Sequence, residues 1–216
     1  EGAQRAFQRF RRTPAFVGFS LFVFVLVLNI LVQGPAAFFS ARNLNTLFSK
    51  NMPLLLTTMA MSPLLIAGTL DISIGIQLAL VNVVSIMVSQ EWGVPLYVGF
   101  ALGIAAALVA STICWALVSV IRLPAMLASF SLIYIVRGVN VLIMDKPQGR
   151  VPEVYYKTYD SLLGGVIPVS ALILVVVFLL WLYLMRTKFG RAIYAVGGSP
   201  RNAFAAGIKA MPGMEW

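Results

Sequence analysis

Long apolar runs separated by short polar segments dominate the chain. The longest run extends from Met52 to Gln90 and contains a single charged residue, Asp71, at its midpoint. A transmembrane helix needs about 20 predominantly apolar residues, so this run is too long for one crossing and fits two that meet at Asp71. The other runs each fit one crossing, and a polar tail follows from Arg186. The pattern predicts spans at about residues 15–31, 52–70, 72–90, 95–121, 124–144 and 166–185.

The composition agrees with a membrane protein. The 216 residues are 60% hydrophobic and only 11% charged, with a mean hydropathy of +0.93, whereas a soluble domain has about 25% charged residues. We therefore predict an all-α fold, a polytopic transmembrane helix bundle of about six spans in which residues 1–216 form one domain. Because the chain begins with Glu1 and stops at Trp216 directly after a polar segment, we also expect that its ends are missing.

The basic residues predict the orientation of the spans. The net charge is +9, and because the bases form no patch with interleaved aromatic residues, we interpret them as topology markers and expect no nucleic-acid partner. An N-terminus in the cytoplasm satisfies the positive-inside rule, since it places more bases inside than outside. The cytoplasmic bases are then Arg5, Arg9, Arg11, Arg12, Arg122, Arg186, Lys188, Arg191, Arg201 and Lys209, and the outer ones are Arg42, Lys50, Lys146, Arg150 and Lys157.

The reactive residue types disfavour several enzyme classes. The chain has no histidine and one cysteine, Cys114, which lies within an apolar run. Histidine is the most common general base and metal ligand, so a catalytic triad or an intramembrane zinc protease is disfavoured. A single cysteine cannot form an intrachain disulfide. We expect no catalytic residue, no metal and no cofactor in this chain.

Asp71 is the first of two charges that we single out inside the apolar zone. An ionised side chain at the bilayer centre costs about 2.5–3.5 kcal/mol, but Asp71 is expected at a turn near the cytoplasmic side, where the cost is smaller. Gly68 and Gly75 loosen the backbone around it, and Asp71 and Ser73 both suit the N-cap of the helix that follows. One interpretation is a capped helical hairpin, and the other is a broken helix that borders a transport pathway.

Arg137 is the second charge, and it lies well inside the fifth span. We expect it at mid-depth or toward the outer face, where its guanidinium can extend to the interface or find a partner inside the bundle. Asp71 is the only acidic residue within the apolar runs, but the two predicted depths differ, so we predict no ion pair between them. Asn82 is a milder polar residue, for which an interhelical hydrogen bond is favoured over a place along a pathway.

A stripe of small residues in the fourth span predicts close helix packing. Gly99, Gly103, Ala107 and Ser111 recur at every fourth position, a small-xxx-small pattern that lets helix backbones approach closely. We interpret this stripe as a packing surface.

The polar tail contains the start and stop signals of a short helix. Within Gly197–Ile208, Ser199 is a suitable N-cap, Pro200 fits the first helical position and Gly207 fits the end. Such a short helix is marginal alone, so it needs a surface to pack against, and Ala203 forms part of a small apolar face. Two interpretations remain open: an interfacial helix on the membrane, or an element that docks onto a soluble partner.

Three blocks of sequence between Met52 and Ile208 form an ordered set. They are Gly-Thr-Leu-Asp-Ile-Ser-Ile-Gly at 68–75, Leu123-Pro124 with Arg137-Gly138, and Thr-Lys-Phe-Gly-Arg at 187–191 with Tyr-Ala-Val-Gly-Gly-Ser-Pro at 194–200 and Gly207-Ile208. The set resembles the permease subunit of bacterial sugar-import ABC transporters, the ribose, galactose and autoinducer-2 permease group, and the blocks follow the order found in that group. The group usually has Gly-Ile before the aspartate and an acid and alanine after the last proline, where this chain has Thr-Leu and Arg-Asn.

The resemblance implies a membrane-spanning permease of a binding-protein-dependent importer for a small sugar in the bacterial inner membrane. It implies cytoplasmic ATP-binding subunits that hydrolyse ATP, a periplasmic sugar-binding protein and a second permease subunit as partners in the lipid bilayer. Members of the group continue through further spans after the third block. The resemblance assigns residues 186–211 to a cytoplasmic loop that docks on the ATPase, through Gly197, Gly198, Ser199, Pro200, Ala203, Gly207 and Ile208. The candidates for a pathway or broken helix are Asp71, Ser73, Gly68, Gly75, Asn82 and Arg137.

Other functions stay open on the sequence alone. A permease of the same superfamily for branched-chain amino acids or nucleosides is the nearest alternative. An ion-coupled secondary transporter would use Asp71 as its coupling site. A membrane scaffold without transport activity is a third possibility.

Overall fold

The computed structural model describes residues 14–165, 167–205 and 207. Most of these residues are helical, and the strands among them are β1 (Leu162–Leu163) and β2 (Ile167–Pro168), which pair antiparallel. The predicted all-α polytopic class is confirmed. The helices are α1 (Pro14–Gln33), α2 (Pro35–Phe38), α3 (Ala41–Ile66), α4 (Ile74–Glu91), α5 (Leu96–Ser119), α6 (Ala125–Ile143), α7 (Glu153–Tyr159), α8 (Val169–Arg186), α9 (Lys188–Gly198) and α10 (Pro200–Ala205).

Within the described residues, 5 helices are long and apolar enough to cross a membrane, namely α1, α4, α5, α6 and α8. The predicted second span, 52–70, falls on α3, which is not among them. α3 begins well before Met52, and because it ends at Ile66, any stretch of it long enough to cross a membrane includes polar residues ahead of the apolar run. Its early start has a local cause, since the Ser40 hydroxyl accepts a hydrogen bond from the Asn43 amide at 3.3 Å and caps the helix. α3 ends at Ile66, before the predicted boundary.

α3 nevertheless extends between the two faces of the bundle. It has 26 residues, so at 1.5 Å per residue it is about 39 Å long, which exceeds the hydrocarbon core of about 30 Å. Its first turns contact Asp160, ahead of α8, and its last residue contacts Gly197 of α9. We call the face that carries residues 144–165 the loop face, and the face that carries α9 and α10 the tail face. α3 and α8 therefore both run from the loop face to the tail face.

The long helices form two packed groups. α4, α5 and α6 pack around one apolar core, while α3 packs against α8, β2 and α9. A small contact joins α3 to α4. α1 packs on α2, and its apolar stretch is unburied among the described residues. The core of the first group consists of Leu80, Ala110, Cys114, Ala128, Leu132 and Val136.

The small-residue stripe of α5 lies against α4. Gly99 and Gly103 are buried, and a methyl group at position 103 would lie 2.8 Å from the Ser85 hydroxyl oxygen. At position 99 the same methyl group would overlap the Ser85 carbonyl oxygen. Ala107 is half-buried and Ser111 is exposed. The stripe therefore provides tight packing near the loop face and becomes more open toward the tail face.

Candidate functional site

A non-helical segment around Asp71 joins α3 to α4 at the tail face. We call residues 67–73 the Asp71 turn. Gly68 has a φ of +81°, a backbone conformation that glycine adopts without a steric penalty. Asp71 Oδ1 accepts two hydrogen bonds from Ser73, one from the backbone N–H and one from Oγ, each at 2.7 Å. Ser73 is fully buried, so the Asp71 carboxylate fixes the backbone immediately before α4.

A chain of hydrogen bonds connects the Asp71 turn to α4, α5 and α6. Gln77 Nε2 donates to Ser73 Oγ at 2.8 Å, and Ser111 Oγ donates to Gln77 Oε1 at 2.7 Å. The Ile72 amide donates to Ser129 Oγ of α6 at 3.4 Å. These contacts attach the turn to every helix of the first packed group. We call the set the polar cluster; it consists of Asp71, Ser73, Gln77, Ser111 and Ser129.

The polar cluster has the chemistry to bind neutral, hydroxyl-rich molecules. Its hydroxyl, amide and carboxylate groups can each donate to or accept from a ligand hydroxyl. Ser111 is exposed, and Asp71 and Gln77 are half-buried, so these groups are accessible from the surface of the bundle. Ser73 and Ser129 are fully buried and serve to hold the turn.

The remaining pathway candidates are not members of the polar cluster. Gly68 lies within the Asp71 turn and Gly75 follows it, and neither has atoms in the space that a side chain would occupy. Asn82 is further along α4 and is exposed on the same side of the helix as Gly75. Arg137 is exposed on α6, and no ion pair joins it to Asp71 in the described part of the chain.

The tail forms two helices where the sequence predicts one. α10 has the expected signals: Pro200 is its first residue, the Ser199 hydroxyl accepts a hydrogen bond from the Asn202 amide at 3.3 Å, and Gly207 has a φ of +80°. Ala203 is buried. Ile208, the last residue of the predicted coupling segment, lies outside the described residues.

The prediction does not include α9, although the sequence carries a signal for it. Phe189, Ile193 and Val196 recur at helical spacing within the segment that we interpreted as a polar tail. The end of this helix lies directly on the end of α3, because a methyl group at Gly197 would overlap the carbonyl oxygen of Ile66. The tail is therefore part of the packed structure.

Three polar residues that lie inside the first packed group are not among the residues predicted from the sequence. Gln77 follows Ser73 at the spacing of one helical turn, which is the signal that could have revealed it. Ser129 is fully buried on α6. Asn140, also on α6, is 8% exposed, and neither of its amide atoms has a hydrogen-bond partner among the described residues. Asn140 shares a helical face with the core residue Val136.

The fold and the site together define a class of protein, a polytopic helical membrane protein with a hydrogen-bonded turn between two long helices and polar groups inside the bundle. The comparison with family models is more specific. The chain belongs to the family described as branched-chain amino acid transport system / permease component, whose model matches residues 43–212.

Within that family, the chain is similar to several curated transport permeases. The chain is 25% identical over 204 residues to the inner membrane ABC transporter permease protein YjfF of Escherichia coli, covering 92% of this chain. It is 22% identical over 206 residues to the galactose/methyl galactoside import permease MglC of Haemophilus influenzae, covering 87% of this chain. It is 26% identical over 195 residues to the D-allose transport system permease AlsC of Escherichia coli, covering 86% of this chain. The resemblance to the sugar-import permease group is confirmed.

The matched relatives are longer than this chain. The chain spans 61% of YjfF, 61% of MglC and 58% of AlsC. No solved structure matches the chain.

Proposed function

We propose that this chain is a membrane-spanning permease subunit of a binding-protein-dependent ABC importer for a small sugar. The similarity to relatives named for galactose and allose import carries the proposal, since it extends over 86–87% of this chain. The chain supplies part of the translocation pathway. ATP is hydrolysed by separate cytoplasmic subunits, so the permease itself is not the enzyme.

The polar cluster borders the pathway in this proposal. A sugar presents many hydroxyl groups, and Ser111, Gln77 and Asp71 provide accessible partners for them in an otherwise apolar bundle. Gly68 and Gly75 keep the backbone next to the turn uncovered. The exposed polar side chains of Asn82 and Arg137 would also require a polar environment if they lie within the membrane.

The tail face is cytoplasmic in this proposal, and α9 and α10 meet the ATP-binding subunits. The charge distribution supports this orientation. Arg122 lies at the turn between α5 and α6, Arg186 is the last residue of α8, and Lys188 and Arg191 lie in α9. Bases are enriched on the cytoplasmic side of inner-membrane proteins. The coupling segment includes Gly197, Gly198, Ser199, Pro200, Ala203 and Gly207, with Ile208 beyond the described residues.

Three further partners belong to the proposal. The loop face meets a periplasmic sugar-binding protein, a second permease subunit completes the pathway, and the lipid bilayer of the bacterial inner membrane surrounds the assembly. The N-terminus is cytoplasmic, because α1 must run from the tail face to the loop face if α3 returns.

Two other functions have a specific observation in their favour. The family description favours a permease for branched-chain amino acids, whereas the named relatives favour sugars. An isolated carboxylate favours an ion-coupled transporter, but Asp71 Oδ1 already accepts two hydrogen bonds from Ser73, which suits a structural role at the turn.

Reconstitution tests the proposal. The complete permease is placed in liposomes with its ATP-binding subunits, and uptake of radiolabelled sugars and of leucine is measured with the sugar-loaded or leucine-loaded binding protein outside. We expect sugar uptake that requires ATP and continues after ionophores remove ion gradients. Asp71→Asn, which keeps an acceptor oxygen at the turn, should retain ATP-dependent uptake.

Three results would contradict the proposal. Uptake of leucine without uptake of any sugar would favour the amino-acid permease. Uptake that collapses with ionophores, together with its loss in Asp71→Asn, would favour ion coupling. The absence of flux with every substrate would favour a scaffold.

A further inference from the structure

α3 is bonded to other elements at both of its ends. At the loop face, Asn45 Nδ2 donates to Asp160 Oδ1 at 3.0 Å and to the Asp160 backbone carbonyl at 2.8 Å. Ser49 Oγ donates to the same carboxylate oxygen at 3.2 Å. The Tyr159 hydroxyl donates to the Ser49 carbonyl at 2.7 Å. We call these four residues the α3 latch, since they attach the end of α7 to α3: Asn45, Ser49, Tyr159 and Asp160.

A proline in α3 explains why the Ser49 carbonyl is free to accept the Tyr159 hydroxyl. In a regular helix this carbonyl would accept the backbone N–H four residues later, at position 53. Pro53 has no N–H, so the Ser49 carbonyl needs another donor. The latch is therefore specified jointly by Pro53 and Tyr159, which are far apart in the sequence.

At the tail face, α3 meets the backbone of α9. A methyl group added to Gly197 would overlap the Ile66 carbonyl oxygen and would lie 2.8 Å from the Ile66 carbonyl carbon and 3.3 Å from the Ala67 Cα. A methyl group added to the adjacent Gly198 would meet no atom within 4 Å. The contact at Gly197 is thus made between two backbones, and it leaves α9 no space to move toward α3 without displacing Ile66.

The Asp71 turn begins directly after this contact. Ala67 is its first residue, and Asp71 and Ile72 bond within the turn and to Ser129 of α6. A displacement of Ile66 therefore reaches the polar cluster through a short covalent segment, and it reaches the α3 latch along a single helix.

We propose that Gly197 is a positioning residue that couples α9 to both the Asp71 turn and the α3 latch, and that α3 is the helix that connects them. The inference rests on the proposed function, in which α9 meets the ATP-binding subunits and the loop face meets the sugar-binding protein. Movement of α9 displaces Ile66, and α3 carries the displacement to Tyr159 and Asp160. Binding at the loop face has the reverse effect, because coupling between two sites is reciprocal.

Hydrogen exchange on the permease alone tests the intramolecular part. Exchange is measured for residues 67–73, 153–163 and 188–198 in the wild type, Gly197→Ala and Gly198→Ala. We expect Gly197→Ala to speed exchange in all three segments and Gly198→Ala to leave the first two unchanged. An effect of Gly197→Ala that stays within 188–198 would overturn the proposed coupling.

A second variant covers the case in which Gly197→Ala does not fold. Tyr159→Phe removes one hydroxyl group from the latch and keeps the ring. We expect it to speed exchange in residues 67–73, at the opposite end of α3, as well as near the substitution. A purely local effect would contradict a connecting role for α3.

The assembled importer in nanodiscs tests the functional consequence. The readout is the ratio of the ATPase rate with the sugar-loaded binding protein to the rate without it. We expect Gly197→Ala and Tyr159→Phe each to lower this ratio by about fivefold or more, the lower end of typical allosteric couplings. Gly18→Ala, a methyl group added at an open position of α1, should keep the wild-type ratio. Loss of folded protein would reduce both rates together and leave the ratio unchanged.

The two experiments separate failure of this inference from failure of the proposed function. Wild-type ratios in both variants would overturn the coupling and leave the importer function standing. A wild-type assembly that neither imports sugar nor responds to a binding protein would refute the proposed function, and hydrogen exchange on the permease would still decide whether α3 couples its two ends.

Discussion

Replacement of Asp71 by alanine tests whether the carboxylate holds the turn. The change removes the acceptor of both Ser73 hydrogen bonds. Since Ser73 is fully buried, its amide is left without an acceptor, which costs about 1–3 kcal/mol, and loss of the second bond adds about 1 kcal/mol. We expect Asp71→Ala to lower the free energy of unfolding by about 2–4 kcal/mol, and Asp71→Asn, which keeps an acceptor oxygen, by about 1 kcal/mol.

The measurement is reversible unfolding of the permease in mixed detergent micelles, followed by circular dichroism. Asp145→Ala is the matched control, because Asp145 is exposed on the loop face and forms no hydrogen bond among the described residues. Equal stabilities for Asp71→Ala and Asp145→Ala would refute the structural role of the Asp71 carboxylate. Equal losses for Asp71→Asn and Asp71→Ala would show that the charge, and not the acceptor geometry, stabilises the turn.

Three further predictions concern packing, burial and pH. Gly103→Ala should destabilise the permease by about 1–3 kcal/mol, the usual cost of overpacking, because the added methyl group meets α4. Gly138→Ala adds its methyl group in open space and should leave the stability unchanged, and thermal unfolding in detergent compares the two variants. Asn140→Leu should raise the free energy of unfolding by about 1–3 kcal/mol, because it removes a buried amide that has no hydrogen-bond partner among the described residues. A decrease in stability, measured by the same method, would contradict this prediction. The pKa of Tyr159 lies above its ordinary value of 10.0, mainly because the side chain is buried and also because the Asp160 carboxylate is nearby. The stability that the Tyr159 hydroxyl contributes is therefore complete below pH 10 and is lost as the pH rises through the folded-state pKa. The difference in melting temperature between wild type and Tyr159→Phe should therefore stay constant up to about pH 10 and shrink above it, and a constant difference at higher pH would refute the assignment.

The helical class follows from the sequence because its physical cause is local. Each long apolar run must satisfy its backbone hydrogen bonds internally in a membrane, and an α-helix does this without any partner. The break at Asp71 could also be predicted because its signal is local: a charge flanked by Gly68 and Gly75 interrupts an apolar run that is too long for one span. The signals of α10 at Ser199, Pro200 and Gly207 are equally local.

The first residue of α3 could not be predicted from the hydropathy of the neighbouring residues. Hydropathy places its beginning at Met52, but the helix begins at Ala41, because the Ser40 cap and the Asp160 contacts stabilise polar turns that no membrane requires to be helical. The Asp160 contacts come from the segment ahead of α8, so their effect on α3 cannot be read from the residues near Met52.

The sequence by itself determined the membrane class, the break at Asp71 and the signals of the last short helix, because each of these depends on neighbouring residues. Only the tertiary structure decided which polar groups meet. Gln77 joins Ser73 to Ser111, Tyr159 bonds to the carbonyl that Pro53 leaves free, and Gly197 lies on Ile66. Except for the pair Ser73 and Gln77, these partners are distant in sequence, and no local pattern specifies the close approach of two backbones that brings them together.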